Sequence, residues 1–257
     1  MVGKIAFIFS SNEGQFVGMC GGLLSKSEDG VYVSSAGEFL SNEDNVYIYD
    51  LMTGGPQSEL DYFVNGQRAL FLHGLEQGRR LVRDGFMPDC LAGIGLGEVT
   101  ALVFAGVFNN HQVITARAEA IQACLEDGSA RSVLKKKVVD KIVDEESLYA
   151  VLRNASAELF NFLGDVEMDM PRLPVYSGLT GKKYGDFHNH TYKVLISDQI
   201  SNPILFEKII ANVVDDGVDY IIECGIEPVI KEKLESFLKE RGLQDKVKVS
   251  FAGELLK

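Results

Sequence analysis

Pro88-Asp89-Cys90-Leu91-Ala92-Gly93-Ile94-Gly95-Leu96-Gly97-Glu98-Val99-Thr100-Ala101-Leu102-Val103-Phe104-Ala105-Gly106-Val107 is the stretch that decides the fold. Around Asp89-Cys90-Leu91-Ala92 it is short and apolar, as a strand buried on both faces requires. Glu98 to Ala105 has helix-like composition, and three glycines in five residues make the join between the two tight. A strand that turns so sharply into a helix has the geometry of a nucleophile elbow, whose usual pattern is G-x-S-x-G. Here Gly93 and Gly97 flank a centre, Gly95, that has no side chain, so acyl-serine chemistry finds no hydroxyl there. The same letters contain G-x-G ahead of a helix, the start of a phosphate-binding turn. The third glycine is missing at its expected spacing, and a dinucleotide-binding turn normally follows the first strand rather than standing near residue 95. On these five residues alone, close packing of a strand against a helix accounts for the glycines.

Outward from this unit, the same alternation repeats. Ile5-Ala6-Phe7-Ile8-Phe9 predicts a buried strand that ends in the polar turn Ser10-Ser11-Asn12-Glu13-Gly14. Residues 25–45 are rich in Ser, Gly, Asp and Glu and are expected at the surface, with a hairpin or surface strand at Val31-Tyr32-Val33. The spacing of Leu70, Phe71, Leu75, Leu81 and Val82 predicts a helix over 67–84, stopped by Gly85. A helix is expected over 111–125, then one or two charged amphipathic helices over 133–162, broken near Asp144. Further strands are expected at 173–176, 219–223 and 247–251, with helices at 206–214 and 228–241. Short apolar strands alternating with helices predict an α/β fold, a mostly parallel sheet with helices on both faces.

Composition narrows the function. With 25 basic against 37 acidic side chains, the formal charge is −12, the wrong sign for gripping a phosphate backbone. No nucleic acid is expected as partner, and no membrane, because no apolar run reaches spanning length. The N-terminus runs straight into a strand-like stretch without the pattern of a signal peptide. Cys20, Cys90, Cys124 and Cys224 lie far apart, with no C-x-x-C pair or zinc spacing, which makes them reduced thiols of a cytoplasmic protein. The 257 residues are read as a single domain, 1–257.

The segment from Pro88 to Val107 resembles the elbow of malonyl-CoA:acyl-carrier-protein transacylases and the related polyketide synthase acyltransferase domains, which carry His-Ser where this chain has Ile94-Gly95. Other short motifs agree in order. Phe7-Ile8-Phe9 with Gln15-Phe16-Val17-Gly18-Met19 resembles the family's first strand and glutamine loop, and Gly55-Pro56, Glu59-Leu60, Gln67 and Ala69-Leu70 also fit. Glu223-Cys224-Gly225 resembles the late strand-and-glycine signature. The resemblance covers about the first 125 residues and the last 85 or so. It implies the acyltransferase large subdomain with an α/β-hydrolase-like core, and a place in fatty-acid or polyketide biosynthesis. It also implies that Arg117 binds a substrate carboxylate, that Gln199, ahead of Asn202-Pro203, orients a catalytic histidine, and that the Leu96 amide and Asn12 stand at the oxyanion positions. No cofactor and no metal are implied. The partners implied are an acyl-CoA, an acyl-carrier protein, and a ketosynthase or other synthase subunit.

Three departures touch the chemistry. Gly95 replaces the nucleophile, Asn12 stands where the family has glutamine, and the catalytic histidine has no counterpart. Only 55 residues separate Arg117 from Leu173, and they read as helix, so a helical segment over 126–165 is expected in place of a deleted ferredoxin-like small subdomain. His73, His111, His188 and His190 are read as surface histidines, the last two in a loop and spaced to share one side of a strand without a third metal ligand. Cys90 and Cys224 are read as buried rather than nucleophilic. Lys135-Lys136-Lys137 is the one basic run and a weak hint of an acidic partner, against which the net acidity of the chain counts. The favoured expectation is a transacylase-like protein without acyl-serine transfer that binds an acyl group or a partner enzyme. The alternatives are an acyltransferase or thioester hydrolase with relocated catalytic residues, and a purely structural subunit of a synthase complex.

Overall fold

The computed structural model describes residues 3–10, 14–26, 32–34, 39–40, 43–108, 112–126 and 145–256. β1 (Lys4–Phe9) is buried at every position after Lys4, as its unbroken apolar run requires. β2 (Leu24–Lys26), β3 (Tyr32–Ser34) and β4 (Phe39–Leu40) form a small antiparallel sheet. The strand expected at 31–33 is found over Tyr32–Ser34 among the described residues, but Tyr32 is buried rather than at the surface. Its ring meets Tyr49 at 5.3 Å, and its hydroxyl donates to Asp50 at 2.7 Å.

Helices α1 (Glu43–Gly54), α2 (Gln57–Leu60) and the long α3 (Phe63–Arg83) follow. At the end of α3 the Phe86 N–H reaches Leu81 O and the Gly85 N–H reaches Val82 O, with Gly85 at φ +98°, so the expected glycine stop is a left-handed cap. β5 (Cys90–Gly93) leads into α4 (Leu96–Phe104), followed by α5 (Gln112–Glu126) and α6 (Glu145–Leu163). Residues 127–144, including most of the stretch expected to be helical before Asp144, lie outside the described residues. After them come β6 (Val175–Tyr176), α7 (Asn189–Asp198), α8 (Phe206–Asp215), β7 (Val218–Cys224), α9 (Lys231–Glu240), β8 (Lys248–Phe251) and α10 (Ala252–Leu255).

The main sheet has the order β6-β5-β1-β7-β8, and all its pairs are parallel. Strand residues alternate between its faces. Phe7 and Phe9 pack with α3 and α4, while Ala6 and Ile8 share a second core with Ile209, Ile210 and Val213 of α8 and Leu234 and Phe237 of α9. From β1 the chain first builds outward through β5 and β6, then returns to the other side of β1 with β7 and β8. The order therefore reverses between β1 and β7, and in open α/β sheets a crevice opens beyond the strand ends at that point. Among the described residues no helix is long and apolar enough to cross a membrane.

Candidate functional site

β5 and α4 meet in a turn built on three glycines. Gly95, capping α4, has φ 60° and ψ −120°. A residue with a β-carbon is strained there, and G-x-S-x-G elbows hold their serine on such a strained turn. The flanking glycines are fixed by space instead. A β-carbon on Gly97 would stand 2.0 Å from the Phe9 carbonyl oxygen, and one on Gly93 would stand 2.1 Å from the Glu98 nitrogen. Close packing thus explains two of the three, and backbone conformation explains the third. Leu96, the oxyanion candidate, is the first residue of α4, where amides have no partner within the helix and the dipole favours negative charge. Asn12, the other oxyanion candidate, lies outside the described residues.

Three residues beyond Gly95 stands a carboxyl group that the motif reading passed over. Glu98 is fully buried and accepts hydrogen bonds from Tyr184 Oη at 2.6 Å and from the Gly178 amide at 2.9 Å. Burial outweighs these donors and the field of Arg117, and pushes the Glu98 carboxyl up to about 7. The Tyr184 hydroxyl is held well above its ordinary value by its own burial and by the carboxylate beside it. The sequence did carry a signal: Glu98 is the sole charge in the apolar run Leu96–Phe104, and such a group needs buried partners.

Arg117, on α5, is also buried, and its guanidinium donates from Nη1 to Gln67 Oε1 at 3.2 Å, while Nε has no hydrogen-bond partner. Desolvation lowers it to about 10, and the nearby Glu98 acts in the opposite direction. The structure therefore brings together Arg117, Gln67 and Glu98 behind the turn. A buried cation with a donor to spare is suited to accept a carboxylate.

Gln199 caps the end of α7. It is 4% exposed, and neither its amide oxygen nor its amide nitrogen has a hydrogen-bond partner. It shares no hydrogen bond with Gly95, Leu96 or Arg117. The arrangement expected of it, a hold on a histidine, is not made among the described residues.

At the reversal between β1 and β7, Gln77 of α3 accepts the Gly225 amide at 2.7 Å, and a β-carbon on Gly225 would stand 2.3 Å from Ser10 Oγ. Glu223, at the end of β7, accepts the Val229 and Ile230 amides on one oxygen at 2.9 and 3.0 Å and the Lys231 amide on the other at 2.9 Å. It caps α9 from within the chain.

His73 corrects its surface reading. It is 7% exposed and packs on α3 beside the backbones of Gly225 and Met19, with both ring nitrogens lacking hydrogen-bond partners. Burial drives its pKa down to about 4, so it is neutral at pH 7. Most residues of α3 from Val64 to Leu81 are buried, so its apolar spacing marks no exposed face on which to place His73. His188 and His190 are exposed as expected, but they sit at the start of α7 rather than in a loop. Their rings stack at 5.9 Å and 12°. His111 and Lys135-Lys136-Lys137 lie outside the described residues. No cluster of three or more His, Cys, Asp or Glu suited to a metal occurs among the described residues. All four cysteines are free and buried, and burial raises the thiols of Cys20 and Cys90 to about 12 and that of Cys224 further still.

No family model matches the chain. In sequence it is 23% identical to the malonyl CoA-acyl carrier protein transacylase of Bacillus subtilis, across 99% of this chain and 98% of that protein. It is 24% identical to the mitochondrial malonyl-CoA-acyl carrier protein transacylase of Mus musculus, across 90% and 77%. In fold it matches an acyl carrier protein S-malonyltransferase from Vibrio cholerae with a TM-score of 0.74, at 18% identity over 99% of this chain and 100% of that one. It matches the acyltransferase domain from the second module of the salinomycin polyketide synthase with a TM-score of 0.70, at 18% identity over 98% and 69%. The Bacillus subtilis alignment runs over 319 positions against the 257 residues of this chain, so at least 62 positions of that relative face gaps.

Proposed function

We propose that this chain, whose homologues and structural neighbours are malonyl-CoA:acyl-carrier-protein transacylases and a polyketide synthase acyltransferase domain, holds a carboxylated acyl group in the crevice beside Gly95 without passing it through an acyl-serine. The observation that carries this reading is the Gly95 backbone, which keeps an elbow geometry at φ 60° and ψ −120° and carries no hydroxyl. Acyl transfer through a covalent intermediate needs a nucleophile, a base within hydrogen-bond reach, and donors for the oxyanion. The Leu96 amide would supply one donor, whereas Gly95 has no hydroxyl to serve as nucleophile and Gln199 holds no histidine among the described residues to serve as base. Buried Arg117, with Nε unpartnered and Gln67 steadying Nη1, is the seat for the free carboxylate.

In this reading a helical segment, 126–165, replaces the small subdomain, and the 62 or more gapped positions of the alignment fit a chain shorter than that relative. The protein acts in the cytoplasm beside an acyl-carrier protein or another synthase subunit, presenting or sequestering the acyl group rather than transferring it. Calorimetry with malonyl-CoA and acetyl-CoA tests the reading. Malonyl-CoA is expected to bind the parent and to lose most of its affinity for Arg117→Ala, while acetyl-CoA, lacking the carboxylate, binds weakly to both. A malonyl adduct by intact mass, or turnover of malonyl-carrier thioesters, would overturn the non-catalytic half. Absence of saturable malonyl-CoA binding at millimolar ligand would overturn the binding half.

A further inference from the structure

We infer that a second site, at the opposite end of α4 from Gly95, binds an amphiphilic organic anion. The nine residues of α4 place its far end roughly 13 Å from the turn, by the 1.5 Å rise of a helix. A cavity of about 750 Å³ opens there between the C-terminal ends of α3 and α4 and the segment 167–172. Ligand pockets run to roughly 300–1,000 Å³, so the space suits an organic molecule and is far too large for a lone inorganic ion.

Its lining has two characters. Val103 and Phe104 of α4, both partly exposed, present an apolar surface, with Val107 and Phe108 buried beneath it. Around this surface stand Arg79 and Arg83, one helical turn apart on α3, and Arg172 from the opposite wall. Arg79 is held to buried Glu76 at 2.7 Å, and Arg83 has only a loose pairing with Asp84 at 3.6 Å. Arg172 has no ion-pair partner among the described residues. Its position is nonetheless set, because its amide donates to Ala105 O at 2.8 Å and its side chain lies across Gly106, where a β-carbon would meet Nε at 3.1 Å. Glu167 and Asp169 also border the cavity and bias it against polyanions. The combination suits a single anionic head, carboxylate or phosphate, on Arg172 and Arg83, with an apolar body against Val103 and Phe104.

Calorimetric titrations with decanoate, decyl phosphate, decanol and inorganic phosphate test this. Decanoate, decyl phosphate or both should bind saturably, and the tighter of the two identifies the head group. The double variant Arg83→Ala/Arg172→Ala, its fold checked by circular dichroism and thermal melting, should weaken that binding at least tenfold, and Val103→Asp should abolish it. Arg117→Ala should leave it unchanged, which separates this site from the crevice beside Gly95. The inference is overturned if neither amphiphile saturates at millimolar concentration, if decanol binds as tightly as the anions, if the double variant binds like the parent, or if Arg117→Ala removes the binding.

Discussion

The carbonyl oxygen of Phe9 occupies the place a β-carbon on Gly97 would need: the two would be 2.0 Å apart. Gly95, two residues earlier, is glycine for a different reason, its positive φ. Alanine at the two positions should therefore behave differently. Gly95→Ala forces a strained conformation and is expected to cost about 1–2 kcal/mol. Gly97→Ala must push β1 and α4 apart and is expected to cost roughly 4 kcal/mol or more. Urea denaturation midpoints rank the pair, and equal costs would remove the distinction. Gly95→Ser should be destabilised like Gly95→Ala and form no acyl adduct by intact mass.

Replacing Arg117 tests how the buried pair is balanced. In Arg117→Met, Glu98 loses the cation that opposes its burial, so its carboxyl moves further up. At pH 6 the variant carries Glu98 protonated and should lose little stability. At pH 8.5 it must bury an uncompensated carboxylate and should be clearly less stable than the parent. Adding Glu98→Gln should remove that pH dependence. Thermal melts of the three proteins at both pH values decide it.

Two buried groups also give the folded state opposing responses to acid. Glu98 is raised from 4.5 to about 7, so its contribution to stability is fully present below pH 4.5 and is lost as pH rises through 7. His73 is lowered from 6.5 to about 4, so its contribution is present above pH 6.5 and is lost as pH falls through 4. Each is worth about 3 kcal/mol at full extent. Compared with the parent, Glu98→Gln should gain stability progressively as pH rises from 4.5 to 7, and His73→Leu should gain it as pH falls from 6.5 to 4. Urea titrations at half-unit pH steps would show both slopes, and a shift of the wrong sign in either would remove that residue from the account.

Gln199 buries an amide that meets no partner. Gln199→Leu, close in volume, relieves that cost and is expected to stabilise the protein by about 1–2 kcal/mol. A loss of stability of that size, read from denaturation midpoints, would mean the amide is satisfied in solution.

The fold was legible because buried parallel strands announce themselves: Ile5–Phe9, Cys90–Ala92 and Tyr220–Ile222 are short apolar runs between helical segments. Pattern alone does not fix strand order, because β1 pairs with strands that lie 84 or more residues away. Within the site, Gly95 stood out through the glycine spacing of the elbow and Arg117 through the family resemblance. Tyr184 and Gly178 did not, because they reach Glu98 only when a loop after β6 folds over α4. His73 was misread because both its neighbours, Met19 and Gly225, come from distant loops.

Glu223 bears on selectivity. Where strand order reverses in such sheets, helix N-termini are the usual attractors of nucleotide phosphates. The helix after β7 already has an anion at its start, since the amides of Val229 and Ile230, just ahead of it, and of Lys231, its first residue, point at the chain's own carboxylate. A phosphate arriving there meets a filled seat and a repelling charge instead of a bare dipole. A fold topologically close to the dinucleotide binders is thereby guarded, on this side of its crevice, against the cargo those proteins carry.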